Sequence, residues 1–168
     1  NIVSLLTSAN PVPHKGFYIK VIESRLALLR EKGIELHTID ARDYAALSTT
    51  LKRIDPEIVV HLAAVAHADR SNKDPFSTFD HNLRTLENAL DYSRGTGVEK
   101  FLFFSSSMVY GKFPDGFVTE ETPCNPLGIY GALKFSGEKL VIAYNQVFKL
   151  PYTIVRPSAL YGPRCISR

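Results

Sequence analysis

The chain has 168 residues, of which 45% are hydrophobic and 22% charged, a composition typical of one globular domain with a core of its own. Its net charge of +3 arises from 20 basic and 17 acidic residues that are scattered along the chain. A nucleic-acid-binding protein needs a clustered basic face, so this charge distribution argues against that class of protein. Two cysteines without metal-ligand spacing, and the lack of an apolar run of about 20 residues, argue against a zinc module, a disulfide scaffold and a transmembrane protein. We therefore expect a cytoplasmic protein with no nucleic-acid or membrane partner.

The first predicted elements are a helix, a strand and a second helix. A stripe of apolar residues at helical spacing, followed by Gly33, predicts a helix that ends at this glycine. The members of the stripe are Ile22, Leu26 and Leu29. Apolar and polar residues alternate over residues 34–39, which predicts a strand. Residues 44–53 predict a short helix that leads into a turn at Pro56.

The next strand and helix are marked by a β-branched run and by a helix cap. Residues 58–64 form a nearly continuous apolar run, which predicts a strand buried on both faces. Asp74 is a residue type typical of an N-cap, and Pro75 is typical of the first helical position. Gly95 is predicted to end the helix that follows. Its predicted core-facing stripe consists of Phe76, Phe79, Leu83, Leu86 and Leu90.

Two further strands flank one more helix. Residues 101–104 and 152–155 predict the strands, and the helix between them is predicted to begin at Asn125-Pro126 and to end before Pro151. Strands that alternate with helices through short connections predict a doubly wound, parallel α/β sheet. In such sheets ligands bind beyond the carboxyl ends of the strands, where residues 40–43, 61–64 and 105–107 are predicted to lie.

Tyr130 and Lys134 are the strongest candidates for chemistry. They stand four residues apart in the last predicted helix, so they share one face of it. A nearby ammonium favours the phenolate form of a tyrosine and lowers its pKa, which makes the tyrosine usable for proton transfer. The five histidines lack the spacing of a helical metal site, so no metal is expected. His61, in a predicted buried strand, is interpreted as a core residue.

Six short motifs follow one another along the chain. They are Val59–Ala64, Asn82, Gly97–Phe101, Ser105–Gly111, Tyr130–Lys134 and Arg156–Arg164. In this order they resemble the extended short-chain dehydrogenase/reductase family, and within it the NAD-dependent sugar-nucleotide epimerases and dehydratases. The resemblance covers about residues 19–168.

The resemblance implies roles for individual residues. Tyr130 would be the catalytic acid/base, Lys134 would hold the nicotinamide ribose and lower the tyrosine pKa, and Ser106 would hydrogen-bond the reacting sugar hydroxyl. Asp40 would accept a hydrogen bond from the adenine of NAD. The other positions implied to line or touch the cofactor are Ala41, Leu62, Ala63, Ala64, Asn82, Ser105, Pro157 and Ser158. Simpler interpretations stay open: Asp40 as a turn residue and Asn82 as a polar helix position.

Two features depart from the family pattern. The glycine-rich turn that receives the dinucleotide pyrophosphate at a helix N-terminus is absent between Asn1 and Gly33. We therefore expect residues 1–168 to be a partial NAD-binding domain that lacks the first βαβ unit and the C-terminal substrate domain, and to be inactive alone. In addition, Ala159 stands where many epimerases have an asparagine that contacts the substrate diphosphate.

The expected activity is 4-epimerisation of a nucleotide sugar, with UDP as the expected nucleotide, through a transient keto sugar. A 4,6-dehydratase is less favoured, because such relatives place an acidic residue just after the catalytic Ser or Thr, where this chain has Ser107 and Met108. A reductase that uses NAD or NADP, or a catalytically silent dinucleotide-binding protein, would also be compatible with the motifs. The resemblance further implies a homodimer through the helices near 75–94 and 126–149. Apolar side chains on the second helix support this implication: Phe135, Ile142 and Phe148.

Overall fold

The computed structural model describes residues 15–66, 68–113 and 116–162. The end of the last motif, Pro163-Arg164, lies outside the described residues. The described residues divide into two compact units, one within residues 15–40 and 159–162 and the other within residues 41–158.

The first unit contains the predicted first helix but not the strand predicted after it. Helix α1 is Lys15–Glu31, and Gly33 follows with a φ of +68°, a conformation that glycine adopts at low cost. Residues 34–40 have no regular secondary structure, so the strand prediction for 34–39 was wrong. Alternation favours an extended chain, but a strand also needs a paired neighbour, and no described strand pairs with this segment.

The second unit is built on a parallel sheet, as the sequence predicted. Its strands run in the order β1-β2-β3, and both neighbouring pairs are parallel. Helices on one side pack against the face that carries Phe101 and Phe103, which are almost fully buried. The fold is therefore α/β with a parallel sheet. The strands are β1 (Ile58–His61), β2 (Lys100–Phe104) and β3 (Tyr152–Val155).

The helices predicted for this unit are present, and a short helix over residues 68–73 was not predicted. The helices and helical turns are α2 (Tyr44–Ile54), α3 (Ala68–Lys73), α4 (Pro75–Phe79), a π-helical turn (Asp80–Arg84), α5 (Thr85–Arg94), a 3-10 turn (Ser107–Tyr110) and α6 (Gly128–Phe148). The predicted cap of α4 is present, because Asp74 Oδ1 accepts a hydrogen bond of 3.0 Å from Ser77 N. No helix in the described part of the chain is long and apolar enough to cross a membrane.

Strand β1 is less buried than its composition predicts. It ends at His61, so Leu62, Ala63 and Ala64 form a loop instead of continuing the strand. Ile58 is 57% exposed and Val60 is 48% exposed, so the prediction that both faces are buried was wrong. Side chains alternate between the two faces of a strand, and among the described residues the helices cover the face to which His61 belongs.

The π-helical turn explains a second difference from the sequence prediction. Leu86 and Leu90 are fully buried, but Phe76 is 88% exposed and Phe79 is 52% exposed. The apolar stripe predicted from Phe76 to Leu90 assumes 3.6 residues per turn throughout. A π turn closes its hydrogen bonds over five residues, which rotates α4 relative to α5 and turns its phenylalanines towards solvent.

Helix α6 begins two residues later than Pro126, the predicted first residue. Its own N-cap, Leu127, offers no side-chain hydrogen bond. Asn72 of α3 supplies the cap instead, since its Oδ1 accepts a hydrogen bond of 3.2 Å from Ile129 N. A cap that is distant in sequence leaves no local signal, which is why Asn125-Pro126 was mistaken for the start.

Gly111 provides a test of how the 3-10 turn packs. It has a φ of +73°, and a Cβ atom there would lie 2.0 Å from Asn125 O. We expect Gly111→Ala to lower the free energy of unfolding by about 1 kcal/mol for the left-handed backbone and by a further ~1–3 kcal/mol for the overlap. Chemical denaturation measures this difference.

The matched control is Gly116→Ala. Gly116 also has a positive φ, of +102°, but a Cβ atom there meets nothing within 4 Å. This variant should lose only the backbone contribution. Equal losses in the two variants would contradict the packing of Asn125 against Gly111.

Candidate active site

The candidate site lies where β2 ends and the 3-10 turn begins. Ser106 is extended, with φ −162° and ψ 151°, and its Oγ accepts a hydrogen bond of 3.2 Å from Met108 N. The backbone on either side is tied to β3 and the residues after it, because Ser105 N donates to Val155 O over 2.8 Å and Ser107 N donates to Pro157 O over 3.0 Å. Ser106 therefore stands in a short segment with a fixed backbone.

Helix α6 brings Tyr130 against this segment. The helix approaches the 3-10 turn closely, since a Cβ atom on Gly131 would lie 2.8 Å from Met108 O. Tyr130 is buried, and the Ser106 side chain lies close enough to its hydroxyl to lower the tyrosine pKa. The structure thus unites two residues that stand 24 positions apart in the sequence.

Lys134 lies one turn further along the same buried face of α6. Its Nζ donates a hydrogen bond of 2.6 Å to Phe104 O and lies 5.1 Å from the centroid of the Phe103 ring. Burial lowers the pKa of Lys134 to about 8. The ammonium is therefore held at the end of β2, beside the residues that precede Ser106.

The electrostatics of Tyr130 differ from the sequence expectation. Burial raises the pKa of Tyr130, and the hydrogen bond with Ser106, which acts in the opposite direction, is the smaller effect. The expected lowering of the tyrosine pKa by Lys134 is not present in this structure. The reason is local: the Lys134 ammonium is directed at a backbone carbonyl.

A buried ion pair that the sequence analysis missed lies one turn beyond Lys134. Glu138 is 1% exposed, and its carboxylate accepts hydrogen bonds from Arg156 Nε over 2.9 Å and from Arg156 Nη2 over 2.7 Å. The same carboxylate accepts a hydrogen bond of 2.5 Å from Ser105 Oγ. The spacing from Tyr130 through Lys134 to Glu138, four residues each time, was the available signal, because it places all three on one helix face.

Four of the predicted cofactor positions lie at or beside the loop that follows β1. Asn82, in the π-helical turn, is buried, and its Oδ1 accepts a hydrogen bond of 2.7 Å from Val65 N. It therefore holds the loop that contains Leu62, Ala63 and Ala64. Leu62 is 64% exposed, whereas the two alanines are partly buried.

The residues at this loop fit a dinucleotide. Asn82 Nδ2 is buried and has no hydrogen-bond partner among the residues that the structure describes, so it is a donor available to a ligand. The small side chains of Ala63 and Ala64 allow a ligand to approach the backbone. His61 Nε2 is likewise buried without a described partner, although the sequence suggested an ordinary core histidine.

The remaining predicted cofactor positions are more scattered. Asp40 belongs to the first unit, and its role stays a prediction. Ala41 is buried in the second unit, where Asn88 Nδ2 donates a hydrogen bond of 2.9 Å to its carbonyl. Pro157 lies against Ser107, and Ser158 is exposed. The hydroxyl of Ser105 is directed at Glu138.

A cavity of about 750 Å³ lies beside the 3-10 turn. Its walls come from the segment after Ser106 and from the end of β3, so it adjoins the candidate site. The residues that bound it include Ser107, Tyr110, Phe117, Ile154, Arg156 and Ser158.

Comparison with known proteins shows the family to which this chain belongs. A sequence profile described as the NAD dependent epimerase/dehydratase family matches residues 11–168. The chain therefore belongs to this NAD-dependent family, whose members include enzymes that act on nucleotide sugars. This confirms the family resemblance, the α/β fold class and the expected cofactor.

Individual relatives are similar over part of their length. An uncharacterized UDP-glucose epimerase, YtcB of Bacillus subtilis, is 37% identical over 121 residues, which are 71% of this chain and 37% of YtcB. A dTDP-glucose 4,6-dehydratase of Streptomyces griseus is 38% identical over 106 residues, 63% of this chain and 32% of that protein.

Among solved structures, the UDP-glucuronic acid 4-epimerase of Bacillus cereus, in complex with UDP-glucuronic acid and NAD, matches with a TM-score of 0.78 and 29% identity. The match covers 96% of this chain and 49% of that one. The chain thus spans between about a third and a half of the length of these relatives.

The buried His61 generates a prediction about pH. Burial and the charge of Lys134 lower the pKa of His61 to about 3, and a hydrogen bond with the Ala63 backbone only partly opposes them. Because the pKa in the folded state lies below the unfolded value of about 6.5, the unfolded chain binds the proton first. Stability should therefore fall as the pH drops below about 6.5.

At pH 5 we expect His61 to cost about 2 kcal/mol of unfolding free energy relative to pH 7. Urea denaturation at the two pH values, for the wild type and for His61→Leu, measures the effect. The substitution should reduce the pH dependence by this amount. The same pH dependence in both proteins would show that His61 is not buried in its neutral form.

Proposed function

We propose that the full-length protein is an NAD-dependent epimerase that inverts C4 of a UDP-sugar through a transient keto sugar. The observation that carries the proposal is the contact between Ser106 and Tyr130, with the Lys134 ammonium one helical turn away. These are the residue types that remove and return a hydroxyl proton during reversible oxidation of an alcohol.

The residues of the chain have separate tasks in this reaction. When bound, NAD would supply the hydride chemistry, by taking a hydride from the sugar carbon and returning it to the opposite face. Tyr130 accepts the proton of the sugar hydroxyl and later returns it. Ser106 Oγ holds the same hydroxyl in position. Lys134, whose ammonium is held at Phe104 O, would position the ribose of the cofactor.

A dehydratase activity is less well supported in this chain. Elimination of water needs acid–base groups in addition to the tyrosine, and the residues that directly follow Ser106 are Ser107 and Met108. A reductase or a silent dinucleotide-binding protein would also retain the fold. The first would release its cofactor in every turnover, whereas the second is disfavoured because Ser106, Tyr130 and Lys134 are all present.

The choice of a UDP-sugar rests on the relatives. YtcB is described as an uncharacterized UDP-glucose epimerase, and the solved structure of the Bacillus cereus enzyme is a complex with UDP-glucuronic acid. The cavity beside Ser107 offers room for a sugar. We further propose a cytoplasmic location, because the two cysteines of the sequence form no disulfide framework, as expected in a reducing compartment.

Tyr130→Phe should test the mechanism in the full-length protein. Loss of a general acid/base should lower kcat by about 10² to 10⁴, while NAD affinity and the melting temperature change little. Turnover of UDP-glucose and UDP-glucuronic acid, followed by NMR, measures the effect. Tyr92→Phe, which removes the hydroxyl of a buried tyrosine on α5, is the control and should retain full turnover. An unimpaired Tyr130→Phe enzyme would refute the mechanism.

We also propose that the protein is a homodimer through α4–α5 and α6. Apolar side chains on these helices support the proposal, because exposed apolar patches on globular proteins tend to be interfaces. Phe76 is 88% exposed, Val147 is 69% exposed and Phe148 is 43% exposed. Two copies of the helix pair would form a four-helix bundle about a two-fold axis.

Ile142→Asp should convert the dimer into a monomer, because it places a charge on a partly buried position of α6. Sedimentation of the full-length protein at micromolar concentration measures the change. Ser136→Asp adds the same charge to an exposed position of α6 that points about 120° away around the helix axis, and should leave the dimer intact. A monomeric wild type would disprove the assembly.

A further inference from the structure

The Glu138–Arg156 pair joins elements that meet around Ser106. Glu138 lies on α6 and binds Ser105, the residue before Ser106. Arg156 follows β3, and its Nη1 donates hydrogen bonds to Tyr110 Oη over 3.0 Å and to Glu120 O over 3.2 Å. The guanidinium also lies 5.1 Å from the centroid of the Tyr110 ring. One ion pair therefore holds the chain on both sides of Ser106.

This arrangement is more than a means of stabilising the fold. A buried ion pair contributes little net stability, because the cost of desolvating both charges offsets their attraction. What the pair does supply is geometry, since a bidentate guanidinium–carboxylate contact fixes distance and orientation together. Every oxygen of the Glu138 carboxylate is used, one by Arg156 alone and the other by Arg156 and Ser105.

Helix α6 also holds the end of β2 at a second point. Lys134 Nζ binds Phe104 O, and Glu138 binds the hydroxyl of Ser105, the next residue. Tyr130 lies on the same helix face and contacts Ser106. Three successive residues at the end of β2 therefore meet three side chains spaced four apart on α6. These three contacts together fix the position of α6 relative to the end of β2.

We propose that Glu138 and Arg156 are positioning residues that hold Ser106 against Tyr130 for proton transfer. The proposal rests on the function proposed above, in which these two hydroxyl groups act on the same substrate hydroxyl. Glu138 acts through Ser105, and Arg156 acts by orienting Glu138 and by holding Tyr110. Neither residue is assigned a contact with the substrate.

A double-mutant cycle on the full-length protein tests the link. Ser105→Ala removes the hydroxyl that connects Glu138 to the segment and leaves the ion pair in place. We expect it to lower kcat roughly tenfold, with KM changed less than about twofold. In a Ser106→Ala background the same substitution should change kcat less than about twofold, because the group that it positions is already gone.

Equal losses of kcat from Ser105→Ala in both backgrounds would overturn the proposal, since a purely structural effect acts irrespective of Ser106. An unchanged kcat in the single variant would overturn it as well, including the case in which only NAD affinity falls. Asp91→Asn is the control, because it removes a partly exposed ion pair with Arg94 on α5. That variant should retain wild-type kcat.

Crystal structures of the wild type and Ser105→Ala provide a readout that does not depend on activity. We expect the Ser106 hydroxyl to move away from the Tyr130 hydroxyl in the variant, while the contact between Lys134 and Phe104 is kept. An unmoved Ser106 would refute the positioning role. If the wild type turns over no nucleotide sugar, the proposed function fails, and the two structures still decide whether Ser105 and Glu138 position Ser106.

Discussion

The docking of α6 on the carboxyl end of β2 is the contact on which the candidate site depends. Lys134 donates to the last carbonyl of the strand over 2.6 Å, and Glu138 accepts from the hydroxyl of the next residue over 2.5 Å. Glycine lets the two elements come this close, since a Cβ atom on Gly137 would lie 2.7 Å from the Phe103 ring. With the helix held there, Tyr130 has little freedom except to face Ser106.

The two ends of the site differ in whether their buried polar groups have hydrogen-bond partners. Beside β2, the side chains of Ser105, Ser106, Lys134 and Glu138 all have hydrogen-bond partners, which fixes the positions of the groups proposed to move protons. At the end of β1, by contrast, His61 Nε2 and Asn82 Nδ2 are buried without a described partner. Unpaired buried donors and acceptors are costly, and a bound dinucleotide would relieve that cost at the Asn82 amide. The paired half suits catalysis, and the unpaired half suits binding of a ligand.

Local signals predicted much of this from the sequence. Apolar runs predicted the strands at 101–104 and 152–155, and helical spacing predicted that Tyr130 and Lys134 share one face of a helix. The structure contains both strands and this shared helix face. The errors come from features without a local signal. A π turn rotated Phe76 out of the core, Asn72 capped α6 from a distant helix, and residues 34–39 met no described strand partner. The Glu138–Arg156 pair was missed because only the folded chain brings α6 and β3 together.

The proposed function requires that the full-length protein oxidise and reduce the same carbon of a UDP-sugar. A panel of UDP-hexoses labelled with deuterium at C4, incubated with the full-length protein and analysed by NMR and mass spectrometry, tests it directly. We expect a product inverted at C4, with the mass of the substrate and the deuterium still at C4, because the hydride returns to the carbon that it left. A product lighter by one molecule of water, or deuterium accumulating in reduced cofactor, would contradict the account.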